Sequence, residues 1–209
     1  MPTINSHILI KNLESRVEFS IQLAVTVFQN LDSELLLSPS VTGGWSIAEC
    51  LDHLNSYGNF YLPQIKLGLD TSNGTHPTEF KSSWLGNYFN ELMKPNNKKM
   101  KAFKKHLPKK DLDTVAIVAE FIHQQELLLT YLEAAKIHDL NKIKIPISIS
   151  RLIMKGIYSK PSEIFTNNLN IFSKMYSFIY TTLLYLLIET IKIKDIWQNY
   201  LHKKKNTFN

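Results

Sequence analysis

Ser46 and Glu49 stand three residues apart, immediately ahead of a run in which Ile47, Cys50, Leu54, Tyr57 and Tyr61 recur at helical spacing. That is the pattern of a capping box. The serine hydroxyl can accept from the backbone N–H three residues on, and the glutamate can reach back to the serine's own N–H. A helix with a defined first turn and one apolar stripe must bury that stripe against other elements. The reading places this helix from Ser46 to about Leu69, with Pro63 kinking it or ending its regular part.

Two more segments carry the same period. Lys11 to Leu31 reads as a helix, with Leu13, Val17, Ile21, Ala24, Val25 and Phe28 at three- and four-residue steps. Asp111 to Lys136 reads as another, with Leu112, Val115, Ala119, Ile122, Leu129 and Leu132 as its buried side. Asp111 and Asp113 suit its N-terminal end, and Lys136 and His138 its C-terminal end, because the helix dipole favours those charges there. Between the helices, Asp32 to Gly44 reads as a loop broken by Pro39 and Gly43-Gly44. Asp70 to Lys110 is an irregular connection, long enough to suggest a role, with room for a short helix over Trp84 to Met93. Asn141 to Ser150 is an extended connector. Ile145 to Ile149 alternates but has no obvious partner strand. Pro161-Ser162-Glu163 is a candidate start of a fourth helix. The fold class expected is all-α, a four-helix bundle with a long irregular connection between helices 2 and 3. A chain of 209 residues fits one such domain, over residues 11–201.

Charge and cysteine content narrow the function classes. The net charge of +6 is concentrated in Lys94, Lys98, Lys99, Lys101, Lys104, Lys105, Lys109 and Lys110. No arginine joins them and aromatics are sparse, so a nucleic-acid groove is not expected. Cys50 is the single cysteine, which rules out an internal disulfide framework and suits a reducing, cytoplasmic compartment. Met1 to Lys11 lacks a basic segment followed by a long apolar run, so no secretory signal is expected. Met175 to Ile188 is uncharged and strongly apolar. It falls short of the about 20 apolar residues of a membrane span and reads as a buried bundle helix. A homodimer interface along it is the next expectation, and a membrane contact flanked by Lys192, Lys194 and Lys203 to Lys205 is a weaker one.

The stretch Gly44-Trp45-Ser46-Ile47-Ala48-Glu49-Cys50-Leu51-Asp52-His53-Leu54 resembles the second-helix signature of the DinB-like superfamily, a Trp-Ser, an acidic residue and then His-Leu. Phe80-Lys81-Ser82-Ser83-Trp84-Leu85-Gly86 with Lys98-Lys99-Met100-Lys101, and Asp139-Leu140-Asn141-Lys142-Ile143-Lys144-Ile145-Pro146, match further motifs in the expected order. The resemblance is strongest over residues 11–155. It implies a DinB/YfiT-like bundle with a divalent-metal site between helices, relatives among thiol S-transferases and metal-dependent hydrolases, and a small-molecule thiol as partner. It makes His53 one of three metal ligands, for zinc or nickel, and asks for a His-x-x-x-His pair on the last helix. Imidazoles at that spacing share a helix face and reach one ion.

That pair is missing. From Gly156 to Leu201 there is no histidine, and from Gly156 to Asn209 neither alanine nor valine. A reading-frame shift or a diverged tail over 156–209 would each explain the change. His123 is a weak replacement candidate, and Glu163 or Glu189 weaker still. His138 reads as a helix-end residue, His202 as solvated, and His7, His76 and His106 as loop residues with no ligand pattern. If His53 holds a metal, Glu49 or Asp52 is the candidate to support it or cap the helix; capping alone explains Glu49, and Asp52 otherwise reads as an exposed helix acid. Cys50 has no activating pattern and reads as a small buried hydrophobe. The expectation is a bundle with an incomplete metal site. The alternative is a non-catalytic helical binding or dimerisation module.

Overall fold

A computed structural model describes residues 3–39, 44–72, 78–81, 104–146 and 168–170. Three long helices carry it: α1 over Ser6–Thr26, α3 over Ile47–Asp70 and α4 over Thr114–Ala135, with a short α2 over Ser33–Leu37. The bundle is helical as expected, and several boundaries move for local reasons. The first helix begins five residues earlier than the periodicity indicates because the Asn5 side chain caps it, accepting from the Ile8 N–H at 3.1 Å. His7 therefore lies on a helix, exposed, and not in a loop. Past Thr26 the chain tightens into a 3-10 turn, Phe28–Asn30. The expected loop from Asp32 contains α2, whose Leu36 is buried. α3 runs on through Pro63, which is exposed, to Asp70. The last long helix starts at Thr114, where the Asp113 side chain accepts from the Ala116 N–H at 3.0 Å.

Two core clusters fix the helix directions. At one end Leu9, Ile10, Leu13 and Val17 of α1 pack with Tyr61, Leu62, Ile65 and Leu69 of α3 and with Leu128 and Leu132 of α4. At the other, Leu23, Ala24 and Phe28 pack with Ile47, Ala48, Leu51 and Leu54 and with Ile117, Val118 and Phe121. The N-terminal half of α1 thus meets the C-terminal halves of α3 and α4. So α1 is antiparallel to both, and α3 and α4 run parallel. Parallel neighbours need a connection that travels back along the bundle. A 24-residue helix is about 36 Å long, and this is the physical reason for the long segment between Asp70 and Thr114. Each fully buried Leu or Phe here contributes about 1.5–3 kcal/mol of burial energy.

The phase of α4 differs from the expectation. Val115 is 76% exposed and Ala119 is exposed, whereas Ile117, Val118, Phe121, Gln124, Gln125, Leu128, Leu132 and Ala135 are buried. Apolar residues occur nearly all round this helix, so spacing alone did not fix which face turns inward. Val25 of α1 is likewise exposed.

Two small antiparallel pairs complete the described residues: β1 (Thr3–Asn5) with β2 (Glu79–Lys81), and β3 (Lys144–Pro146) with β4 (Asn168–Asn170). The alternating segment at Ile145 therefore has a partner, one too short to show in the sequence. Ile145 and Phe80 both enter the core cluster at that end of the bundle. Because Asn168–Asn170 is strand, a fourth helix does not run unbroken from Pro161. The expectations for Met175 to Ile188, for Trp84 to Met93 and for His76, His202, Glu163 and Glu189 fall outside the described residues.

Candidate functional site

The start of α3 is built as the sequence dictates. Ser46 Oγ accepts from the Glu49 N–H at 3.2 Å, and Glu49 Oε2 accepts from the Ser46 N–H at 2.7 Å. Gly44 enters with φ of +132°, a region closed to most side chains. Trp45 is thereby laid beside the helix, its ring centroid 4.7 Å from that of His53.

Two turns into α3, His53 is buried, on a face covered by the returning connection. The 3-10 turn Lys104–His106 forms the cover. His53 Nδ1 lies 2.5 Å from the carbonyl oxygen of His106. A carbonyl can only accept, so Nδ1 carries the proton and Nε2 is the proton-free nitrogen of the neutral ring. Burial lowers the His53 pKa, against the opposing pull of the His106 carbonyl and the Asp52 charge. The ring of Tyr57 stands edge-on to His53, centroids 5.0 Å apart, and stacks on His106 at 3.9 Å.

His106 itself is buried, contrary to its reading as a loop histidine without a pattern. Ser56 Oγ donates its one hydrogen to the His53 carbonyl at 2.7 Å and also meets His106 Nδ1 at 2.9 Å. With its proton committed, the hydroxyl accepts from His106, whose Nδ1 must be the N–H. The His106 lone pair is then on Nε2, which is buried and has no hydrogen-bond partner. Burial first, then the neighbouring Lys105 and His53, push the His106 pKa down to about 4.

Asp52 is a correction of the same kind. It is buried, and its Oδ2 accepts from the Lys109 N–H at 3.0 Å. The acid on the helix thus pins the far side of the cover, while Lys105 Nζ sits 4.3 Å from the centroid of the Phe60 ring. His106 was not legible as a site residue, and Asp52 only as a candidate support for His53 or a helix cap, because their partners lie about 50 residues away in the chain.

A second polar group lies between α3 and α4. Gln124 Nε2 donates to the Asn55 carbonyl at 3.2 Å, to Asn59 Oδ1 at 3.0 Å and to Glu120 Oε1 at 2.6 Å. Asn55 Nδ2 donates to the Ile117 carbonyl at 3.0 Å. Gln124 Oε1 rests against bare Gly58, where an added Cβ would be only 1.7 Å away. Sequence reasoning missed this group, because Gln124-Gln125 stands between His123 and Glu126 in a polar stretch that reads as a solvated face. His123 beside them is exposed.

The model of the DinB superfamily matches residues 16–153, more than half of the chain. The chain belongs to the DinB superfamily. Comparisons with curated proteins and with solved structures return no match. The DinB match ends before the tail in which the histidine pair was sought. It covers α3 with His53, the returning connection with His106, and α4.

Among the described residues of this DinB chain, no three His, Cys, Asp or Glu side chains are grouped to hold a metal ion. His53 fits a divalent metal in kind, being a neutral imidazole oriented by a backbone carbonyl on its other nitrogen. The described set falls short in number. Cys50 is buried, in keeping with a packing role. Among the described residues no helix is long and apolar enough to cross a membrane.

Proposed function

We propose that this protein is a DinB-type bundle related to thiol S-transferases and metal-dependent hydrolases, whose divalent-metal site keeps His53 and lacks the paired histidines. Zinc or nickel then binds weakly and exchanges, and no described group stands ready to activate a thiol or water. The observation that supports the reading is the His53 Nδ1–H bond to the His106 carbonyl, which holds the ring in the tautomer a metal ligand needs. The absence of histidine from Gly156 to Leu201 supports the weakness. Untagged protein should lose its zinc and nickel on dialysis, read by inductively coupled plasma mass spectrometry. One tightly held metal per chain that disappears in His53→Ala would contradict the incomplete site.

A second reading is a non-catalytic binding or dimerisation module. Exposed Ile8 of α1 and Leu67 of α3, with Ile137 just past α4, favour it. All three lie at the same end of the bundle, given the helix directions. Gel filtration with light scattering should then give a dimer mass that Ile137→Lys reduces to a monomer.

A further inference from the structure

We propose that the arriving limb of the crossover, residues 104–110, is a docking surface for the anionic face of a phospholipid bilayer. The proposal is independent of any metal at His53.

Four observations carry it. First, Lys104, Lys105, Lys109 and Lys110 are all exposed, and among the described residues none of them has an acidic partner. Lysines elsewhere do: Lys66 pairs with Asp70, Lys136 with Glu14 and Glu133, and Lys142 with Asp139. Second, the neighbouring acids are turned to other work. Asp52 accepts from the Lys109 backbone N–H, Glu49 from the Ser46 N–H and Asp113 from the Ala116 N–H. Exposed Asp111 follows the last lysine, but α3, against which the limb lies, has no acid from His53 to Leu69. The field over this strip is therefore positive. Third, the limb is fastened to α3 at two points, through the His106 carbonyl on His53 and the Lys109 N–H on Asp52. Its cations stand on an ordered backbone, so little chain entropy is lost on docking. Fourth, Leu107 stands 50% exposed between the two lysine pairs.

Polyanions differ in what they ask of such a strip. Single-stranded nucleic acid is held by arginine forks and by aromatic faces on which bases stack. The strip has no arginine. Lys105 Nζ lies over the Phe60 ring at 4.3 Å, and His106 stacks on Tyr57 at 3.9 Å. A lipid surface asks for several cations without a fixed geometry, and for an apolar side chain that can enter the headgroup boundary. The four lysines and Leu107 supply both.

Co-sedimentation of the full chain with vesicles tests this. Phosphatidylcholine vesicles containing phosphatidylserine should carry the protein down at low salt and release it as sodium chloride is raised, because the attraction is screened. Vesicles of phosphatidylcholine alone should not. Lys104→Ala, Lys109→Ala and Lys110→Ala should each weaken binding by about fivefold, the worth of one lysine at an anionic surface. Leu107→Ser should weaken it at every salt concentration. Lys66→Ala, which removes an ion-paired lysine of the same α3, should leave it unchanged. Equal binding to the two kinds of vesicle, or none to either, would overturn the proposal from the wild type alone. So would an effect of Lys66→Ala as large as those of the strip lysines, which would mean attraction by overall charge. Retention by an oligothymidylate or by polyglutamate, with no preference for phosphatidylserine, would overturn the lipid as partner and give the strip to that polyanion.

Discussion

His106 takes up a proton with difficulty in the folded protein, with its pKa near 4, and readily once the chain unfolds, near the ordinary value of 6.5. Between those values the unfolded state binds more protons, so stability falls as pH drops. Above pH 6.5 this contribution is flat and complete; below about 4 the folded state is protonated too and the decline levels off. His53, also shifted down by burial, adds in the same direction. Urea midpoints measured between pH 7.5 and 4 should fall for the wild type and fall less for His106→Phe; equal slopes would contradict the buried neutral ring. Gly58 gives a second test at this scale. Alanine in a helix normally gains about 1 kcal/mol over glycine. Here the new Cβ would occupy the place of Gln124 Oε1 and drive the amide off three acceptors. Gly58→Ala should therefore destabilise, by about 1–3 kcal/mol; a rise in the urea midpoint would contradict the packing described.

The elements differ in how far the sequence disclosed them. The start of α3 was fully legible, because Ser46, Glu49 and the apolar stripe act within one turn of each other, and the structure contains both bonds of the box. Ser46→Ala should cost about 1 kcal/mol of stability, measured by thermal or urea unfolding. Position 53 was legible only through family resemblance. Its surroundings were not, because His106, Asp52 and Lys109 meet through the crossover and leave no periodic trace. α4 was legible as a helix and misread in phase. Its buried face includes Gln124 and Gln125, polar residues that a hydrophobic stripe assigns to solvent, while Val115 and Ala119 face outward. Tertiary hydrogen bonds from Asn55 and to Asn59 settle the rotation of that helix. The three-residue strands lie below the length at which alternation signals anything.

For the molecule as a whole, the parallel pairing of α3 and α4 is the organising fact. It makes the connection travel the length of the bundle, so its far end lies over the first turns of α3 and forms the site's cover. β2 marks its departure beside the start of α1, where Asn141 Nδ2 donates to the Glu79 carbonyl at 3.0 Å. Lys104–His106 marks its arrival. Asp52 holds the arrival, so Asp52→Ala should speed amide exchange at Lys109 while leaving the amides of the Leu128 turn protected. Both core clusters draw on all three long helices, which makes them one cooperative unit. Leu128→Ala, at the far end from the site, should cost about 2–5 kcal/mol and keep a single unfolding transition. The central claim is that the crossover locks two neutral imidazoles with their protons on Nδ1. Nitrogen-15 NMR of histidine-labelled protein at pH 7.5 tests it directly. For His53 and His106 the account predicts a protonated Nδ1 and a proton-free Nε2. A proton on Nε2 of either ring, or an imidazolium, would contradict it.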